Sequence, residues 1–598
     1  MKKRAVLVLI IPAIVGWFLY PGLTGVNIEG ADIEFGQGKT IRLLSGEKSN
    51  LSQNLSPWGL PSQYAQTSWP AIHRDSRNSN YLPFTTASTL KLKWHALEDE
   101  YSAVVTPVVT GPEGNIYFTT GKDASYGNLH AFDRQGNELW RSYYLDIGAL
   151  GSSPLIDQEG DLYLADTDEF FGFHPDGSLK WKCSGIDGPF ASNVFSPDGH
   201  IIGINRKGIV YVFDPRNGQL AAHPLELPDQ PPGDHYKTSA PPGLWEGMVS
   251  SGGEGISIDE IFNCLMGFQF KVTNTPVVNP ANGRIYIIGN IKTTDHSNTV
   301  QGRFYGIDFI PGSGDTPAVL QLAFQTRISA GSGASPAVSS DGSHIYVLDG
   351  TGTLYAFTKD GDKAWRLRVG VMPASPAIGP DGTIYCSSDS TLYAVKDSGS
   401  SGSMAWEMDF TQEGTKSLPD SPPSWVEENS YRREVKPTVK CNSVVSVSKN
   451  YLYLTISAGY ELRSPRSDQT STSRGLGGKG TGGQGAISKS PCLPVSRSSL
   501  SSGDSLIEKD GPRDFFPLKS LLIVVAPPGS AENAKSEPVI SSITELSDTS
   551  EGIIALDKSG TVFCSHASIV SSVAYYDSQK IGFDFQKPVG GVSVLSPE

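Results

Sequence analysis

The chain predicts an all-β fold, a β-propeller of seven to eight four-stranded blades preceded by an N-terminal hydrophobic helix. Three observations predict it. A hairpin pattern recurs along 598 residues. A second recurring pattern ends in tryptophan at a fixed spacing. An uncharged apolar run sits at the start.

The hairpin pattern comes first, because internal repetition decides architecture before any single residue does. Thr106-Pro107 leads to Glu113-Gly114 and then Tyr117, and Ser153-Pro154 leads to Glu159-Gly160 and Tyr163. Thr275-Pro276 leads to Asn282-Gly283 and Tyr286, Ser335-Pro336 to Asp341-Gly342 and Tyr346, and Ser375-Pro376 to Asp381-Gly382 and Tyr385. A weaker copy runs from Ser192-Asn193 to Asp198-Gly199. Each copy is a short apolar strand, a turn in which glycine supplies positive φ, and a second strand opening on an aliphatic–tyrosine pair.

The second pattern completes the unit. Leu129, Ala131, Asp133, Gly136 and Trp140 are matched by Phe171, Asp176, Gly177 and Trp181, and by Leu354, Ala356, Asp360, Gly361 and Trp365. A stretched copy joins Leu392 and Ala394 to Trp406. Trp140 and Trp181 are 41 positions apart, as are Trp365 and Trp406. Four strands in about 40 residues is the length of a propeller blade, whose faces are buried only by neighbouring blades. The recurring tryptophan is therefore expected to wedge between blades.

These motifs resemble those of the pyrroloquinoline-quinone-like (quinoprotein-type) propeller repeat family. Ala131, Asp133, Gly136 and Trp140 are similar to its tryptophan-docking motif, with one residue fewer in the turn. The segment Trp69, Pro70, His73, Arg74, Asp75, Arg77, Asn78 and Ser79 resembles the lead-in of such proteins, and it precedes a closing outer strand near Leu92–Trp94. The resemblance covers roughly residues 66–457 and parts of 550–598.

The domain reading follows. Residues 1–24 are a signal peptide or membrane anchor, 25–65 a linker and 66–598 the propeller. A loop insertion is expected over 221–270, which holds Pro231-Pro232 and Pro241-Pro242, and a disordered insertion over the Ser/Gly-rich stretch 461–517. That second insertion splits a seventh unit, whose second half is read from Ile553 to Cys564, with Cys564 in the tryptophan position. Ser593–Glu598 aligns with Asn193–Asp198 and reads as the first strand of an eighth unit, either added or cut short.

Lys2, Lys3 and Arg4 precede the uncharged run 5–23, long enough to span a bilayer. The cationic flank is expected to stay inside, which makes the bulk of the chain extracytoplasmic, membrane-anchored or secreted. The net charge is −14 with no basic stripe, which argues against a nucleic-acid partner. Cys183, Cys264, Cys386, Cys441, Cys492 and Cys564 are widely and irregularly spaced, with no C-x-x-C pair, and read mainly as buried thiols on strands.

Chemistry is thin. No H-E-x-x-H or G-x-S-x-G motif is present. Gly475–Gly480 lacks the hydroxyl residue of a phosphate loop, and His73, His130, His174 and His566 read as scattered surface or loop histidines. Asp166 and Asp168 have the composition of a cation site but read as a solvated loop. The family's dehydrogenases need adjacent cysteines, a Ca²⁺ held by carboxylate and amide oxygens, and a catalytic Asp. No residue here matches that set, so no catalytic, cofactor-binding or metal residue is assigned. The expected function is a non-catalytic recognition or scaffold propeller at a membrane surface, binding a protein or carbohydrate on one face. The resemblance implies one alternative, an alcohol- or sugar-oxidising dehydrogenase using pyrroloquinoline quinone and calcium.

Overall fold

Each repeat folds as an antiparallel meander, because its two glycine turns are too short for any other connection. In the computed structural model the acidic–glycine turns take the predicted left-handed backbone, with φ of 83° at Gly114 and 78° at Gly382. The structure describes residues 33–35 and 56–598, apart from the short stretches 98–99, 101, 103, 122–123, 187–189, 313–316, 371–373, 442, 548–549 and 551, and the longer ones 230–270, 292–300, 424–433, 464–513 and 567–589. The N-terminal run 1–24 thus lies outside the described residues. Among them, no helix is long and apolar enough to cross a membrane.

Eight antiparallel sheets form the blades of an all-β propeller. Strands are lettered a to d from axis to rim. Blade 1 is Val109–Thr110, Ile116–Thr119, Leu129–Phe132 and Glu138–Ser142. Blade 2 is Leu155–Ile156, Leu162–Ala165, Glu169–Phe173 and Leu179–Ser184, with Ile33–Phe35 added at its rim. Blade 3 is Phe190–Phe195, Ile201–Asn205, Ile209–Phe213 and the short Leu225–Glu226. The first residues of the expected 221–270 insertion are therefore drawn into this blade, and 230–270 lie outside the described residues. Blade 4 is Val277–Val278, Ile285–Ile291, Gln301–Ile310 and Val319–Ile328. Blade 5 is Ala337–Val338, His344–Leu348, Thr353–Thr358 and Lys363–Arg368, and blade 6 is Ala377–Ile378, Ile384–Ser388, Thr391–Asp397 and Gly402–Asp409.

Blades 7 and 8 correct the sequence reading. Blade 7 is Ser446–Val447, Leu452–Arg463, Asp514–Ala526 and Val539–Leu546, and Glu434–Lys440 pairs with the far half of its long second strand. Blade 8 is Ala555–Leu556, Val562–Ser565, Val592–Pro597 and Leu90–Ala96. The Ile553–Cys564 segment is thus the inner hairpin of blade 8 and not the outer half of blade 7. Cys564 lies on strand b, not at a tryptophan position. Val592–Pro597 is the third strand of that blade and opens no further unit. It pairs with the expected closing strand, Lys91 facing Ser596 and Trp94 facing Val594.

Blades hold together as predicted. Trp140 lies across from Ala131, Trp181 from Gly172 and Trp365 from Ala356, each a small residue, whereas Trp94 faces Val594. The ladder slips in register beside each of these pairs. Each indole then reaches the next blade. Trp94 Nε1 donates to Arg134 O at 3.3 Å, Trp140 Nε1 to Pro175 O at 3.0 Å and Trp181 Nε1 to Pro215 O at 2.9 Å. The docking glycine is required, since a Cβ on Gly177 would fall 2.6 Å from the Trp140 ring. In blade 4 Phe324 takes the same place against Gly361. Stacked rings fill the gaps behind, as with Phe170 and Phe213 at 4.3 Å between blades 2 and 3.

Candidate functional site

Three places gather groups capable of chemistry: the loops joining blades 1 and 2, the buried histidines and cysteines, and the axis.

Asp166 ends strand b of blade 2 in a tight loop, where Asp168 N and Glu169 N donate to its Oδ1 at 3.3 and 3.0 Å. Asp146, from the connection out of blade 1, caps a 3₁₀ turn at Ile147–Gly151 by accepting from Gly148 N. The two loops lock together, with Asp146 N donating to Asp166 Oδ2 at 3.1 Å and Thr167 N to Asp146 Oδ1 at 3.1 Å. The structure thereby corrects the solvated-loop reading at Asp166, while Asp168 stays exposed. Asp166 is buried, and Asp146, Asp166 and Asp168 each place a carboxylate oxygen within 4.8 Å of the others. Burial, then the neighbouring Asp146 charge, pushes the Asp166 carboxyl well above the usual range, and the same causes raise Asp168. Asp146 escaped notice because it lies twenty residues before its partner. These oxygens are hard donors of the type a divalent cation accepts, although backbone N–H groups already engage those of Asp146 and Asp166.

The histidine expectation is corrected too. His73, His130 and His566 are buried. His73 Nδ1 lies 3.0 Å from Asn80 Oδ1, and desolvation lowers its pKa to about 4. His130 stacks on Phe118 at 5.4 Å and bonds to Glu138, and burial lowers its pKa as well. Both are neutral packing groups. Of the four, only His174 stays partly exposed, 3.0 Å from Asp161. Cys183, Cys386, Cys441 and Cys564 are buried free thiols, and burial raises Cys183 to about 11 and Cys564 to about 12. Cys264, Cys492 and the segment Gly475–Gly480 lie outside the described residues.

At the axis, the first strands open with small hydroxyl residues. Some link blade to blade: Ser153 N donates to Ser192 Oγ at 3.3 Å, Thr275 N to Ser335 Oγ at 2.9 Å and Ser335 N to Ser375 Oγ at 2.8 Å. The lead-in lies at the other end of these strands. Its His73, Arg74, Asp75, Asn78 and Ser79 are all buried. Arg74 Nε donates to Ser68 O at 3.0 Å, and desolvation lowers its pKa to about 10.

Residues 316–445 match a family model described as outer membrane protein assembly factor BamB, of the PQQ_2 repeat type. Over that span the repeats are similar to those of the pyrroloquinoline-quinone-like propeller type. The matched span holds blades 5 and 6, whose outer strands carry Trp365 and Trp406. No curated protein matches the chain. Among solved structures, it is similar to a europium-containing methanol dehydrogenase, at 9% identity and a TM-score of 0.47, over 89% of this chain and 98% of that one. It is also similar to BamB from Moraxella catarrhalis, at 13% identity and a TM-score of 0.34, over 63% and 97%.

The four described cysteines sit apart, in or beside blades 2, 6, 7 and 8. The one carboxylate cluster described joins the loops of blades 1 and 2 and binds its own backbone.

Proposed function

We propose that this chain is a non-catalytic recognition or scaffold propeller held at the extracytoplasmic surface of a membrane. The observation that carries the reading is where the repeated residues are used. Turn carboxylates such as Asp133 and Asp341 brace their own turns, while the tryptophans and the turn glycines of the next blade that they meet serve blade-to-blade docking. Trp365 Nε1, for example, donates to Asp397 Oδ1 at 2.8 Å in the next blade. What distinguishes one blade from another lies in the loops, and loops on a rigid frame are where binding specificity resides. The family description over residues 316–445, an assembly factor, supports the same reading. The cationic start and the apolar run 5–23 support the membrane setting. The partner is a protein or carbohydrate bound on the face bearing the b–c loops. From that face the blade 7 hairpin of Leu452–Arg463 and Asp514–Ala526 extends well past its neighbours.

Adding pyrroloquinoline quinone and Ca²⁺ to the full chain tests this against the dehydrogenase alternative. The proposal expects no quinone chromophore retained after gel filtration. Retention at one per chain, with dye-linked oxidation of an alcohol or sugar, overturns it.

A further inference from the structure

The inner strand of every blade poses a problem that the repeat cannot solve. Strand a is the axial edge of its sheet, and on the side facing the axis it has no strand neighbour. Its buried N–H groups still need acceptors. In six blades the same N–H, that of the second paired residue, meets a carbonyl of the lead-in. Thr110 N donates to Trp69 O at 2.8 Å, Ile156 N to Pro70 O at 2.9 Å and Val278 N to Ser76 O at 2.7 Å. Val338 N donates to Arg77 O at 3.0 Å, Ile378 N to Ser79 O at 3.0 Å and Val447 N to Asn80 O at 2.8 Å. Blade 3 is reached through a side chain, with Phe195 N donating to Tyr64 Oη at 3.2 Å. Blade 8 is reached through Ser68, whose Oγ donates to Asp557 Oδ2 at 2.8 Å and accepts from Lys558 N at 3.1 Å.

The segment steps round the ring. Ser76, Arg77, Ser79 and Asn80 serve blades 4, 5, 6 and 7 in turn, one or two residues per blade. Such steps are shorter than any regular element allows, and the backbone adapts with left-handed joints at Arg74, Asn78 and Asn80, with φ of 74°, 53° and 52°. Asparagine tolerates that region better than most residues. Internal bonds hold the joints: Asp75 accepts from Arg77 N at 3.0 Å, Ser79 N at 3.1 Å and Ser79 Oγ at 2.7 Å. Asn78 Nδ2 adds a bond to Pro336 O at 2.9 Å and a longer one to Pro276 O.

We infer that residues 63–82 are an axial clasp, a non-repeating segment that holds the first strands of all eight blades in register from inside the ring, independently of the rim closure by Leu90–Ala96. It closes the axis at the a–b turn end, so access to the axis is from the b–c loop face.

Hydrogen exchange on the full chain tests this. The amides of Thr110, Ile156, Val278, Val338, Ile378 and Val447 are expected to exchange at least 100-fold more slowly than exposed turn amides. Asn78→Gly keeps the left-handed joint and deletes only the side-chain bonds. It is expected to speed exchange at Val278 and Val338 about tenfold, with Thr110, Ile156 and the rim pair Leu92/Leu595 unchanged. Asp75→Ala is expected to release all six amides while the rim strands stay protected. Fast exchange of the six amides in the unmodified chain overturns the inference and requires no variant. So does an Asn78→Gly chain with unchanged exchange at both positions, or a rim that opens together with the axis.

Discussion

The interface between blades 2 and 3 and that between blades 5 and 6 use the same tryptophan and differ in what its N–H finds. Trp181 is fully buried and donates to a backbone carbonyl, Pro215 O. Trp365 donates to a carboxylate, Asp397 Oδ1. Asp397 also takes His344 Nδ1 at 2.6 Å, Tyr346 Oη at 2.8 Å and Gly399 N at 2.7 Å. One joint is neutral and rests on burial. The other gathers four donors from two blades onto a single charge. One repeat motif therefore gives joints with different sensitivity to acid.

The largest test of that contrast is Trp181→Ala. Removing a fully buried indole from an inter-blade core is expected to cost about 4 kcal/mol, measured by denaturant unfolding, with the same cost at pH 7 and pH 4. A cost that shrinks at pH 4 would make this joint charge-dependent as well.

Asp397→Asn comes next. Replacing a carboxylate that accepts four hydrogen bonds is expected to cost about 2 kcal/mol at pH 7. Burial alone would raise this carboxyl, but the bonds from Gly399, Tyr346, Trp365 and His344 hold it below the usual range. A depressed folded-state pKa contributes stability that is present above the ordinary carboxylate value of about 4 and lost as pH falls through the folded value. The Asn variant should therefore differ from the parent at pH 7 and converge on it in acid. A gap that does not narrow as pH falls below about 4 contradicts the assignment.

The smallest effect has the opposite sign. Asp168 has a raised pKa, so its charge costs stability once pH exceeds the ordinary carboxylate value. Asp168→Asn, at an exposed position, is expected to stabilise by about 0.5 kcal/mol at pH 7 and by nothing at pH 3, read as a shift in melting temperature. Destabilisation at pH 7 would show that the carboxylate has a structural role which the packing does not reveal.

Legibility in the sequence followed the same contrast between regular and irregular parts. Blades 1, 2, 5 and 6 could be read because a glycine turn and a tryptophan recur within one blade length, and the docking that demands those residues is local. The closing strand at Leu92–Trp94 was legible for the same reason, since Trp94 docks on Gly136. Blade 7 was not. Its second and third strands are separated by a long insertion, and its outer strand carries Ser542 where others carry tryptophan, so the hairpin of blade 8 reads in sequence as its missing half. The lead-in was recognised as a motif. Its place on the axis was not legible, because its partners are backbone amides 41 to 367 residues away and leave no trace in side-chain pattern. The carboxylate cluster was half seen: Asp166 and Asp168 share a loop, whereas Asp146 arrives from another blade.

Leu90–Ala96 pairs with Val592–Pro597 and closes the eight blades into one ring. A Lys91→Cys/Ser596→Cys double variant tests it most directly, since these residues face each other across the closing pair. Mild oxidation of the folded full chain is expected to form a disulfide between the two introduced thiols, seen by peptide mass spectrometry, and to raise the melting temperature until reductant is added. A chain that stays folded and never forms that crosslink contradicts the closed ring.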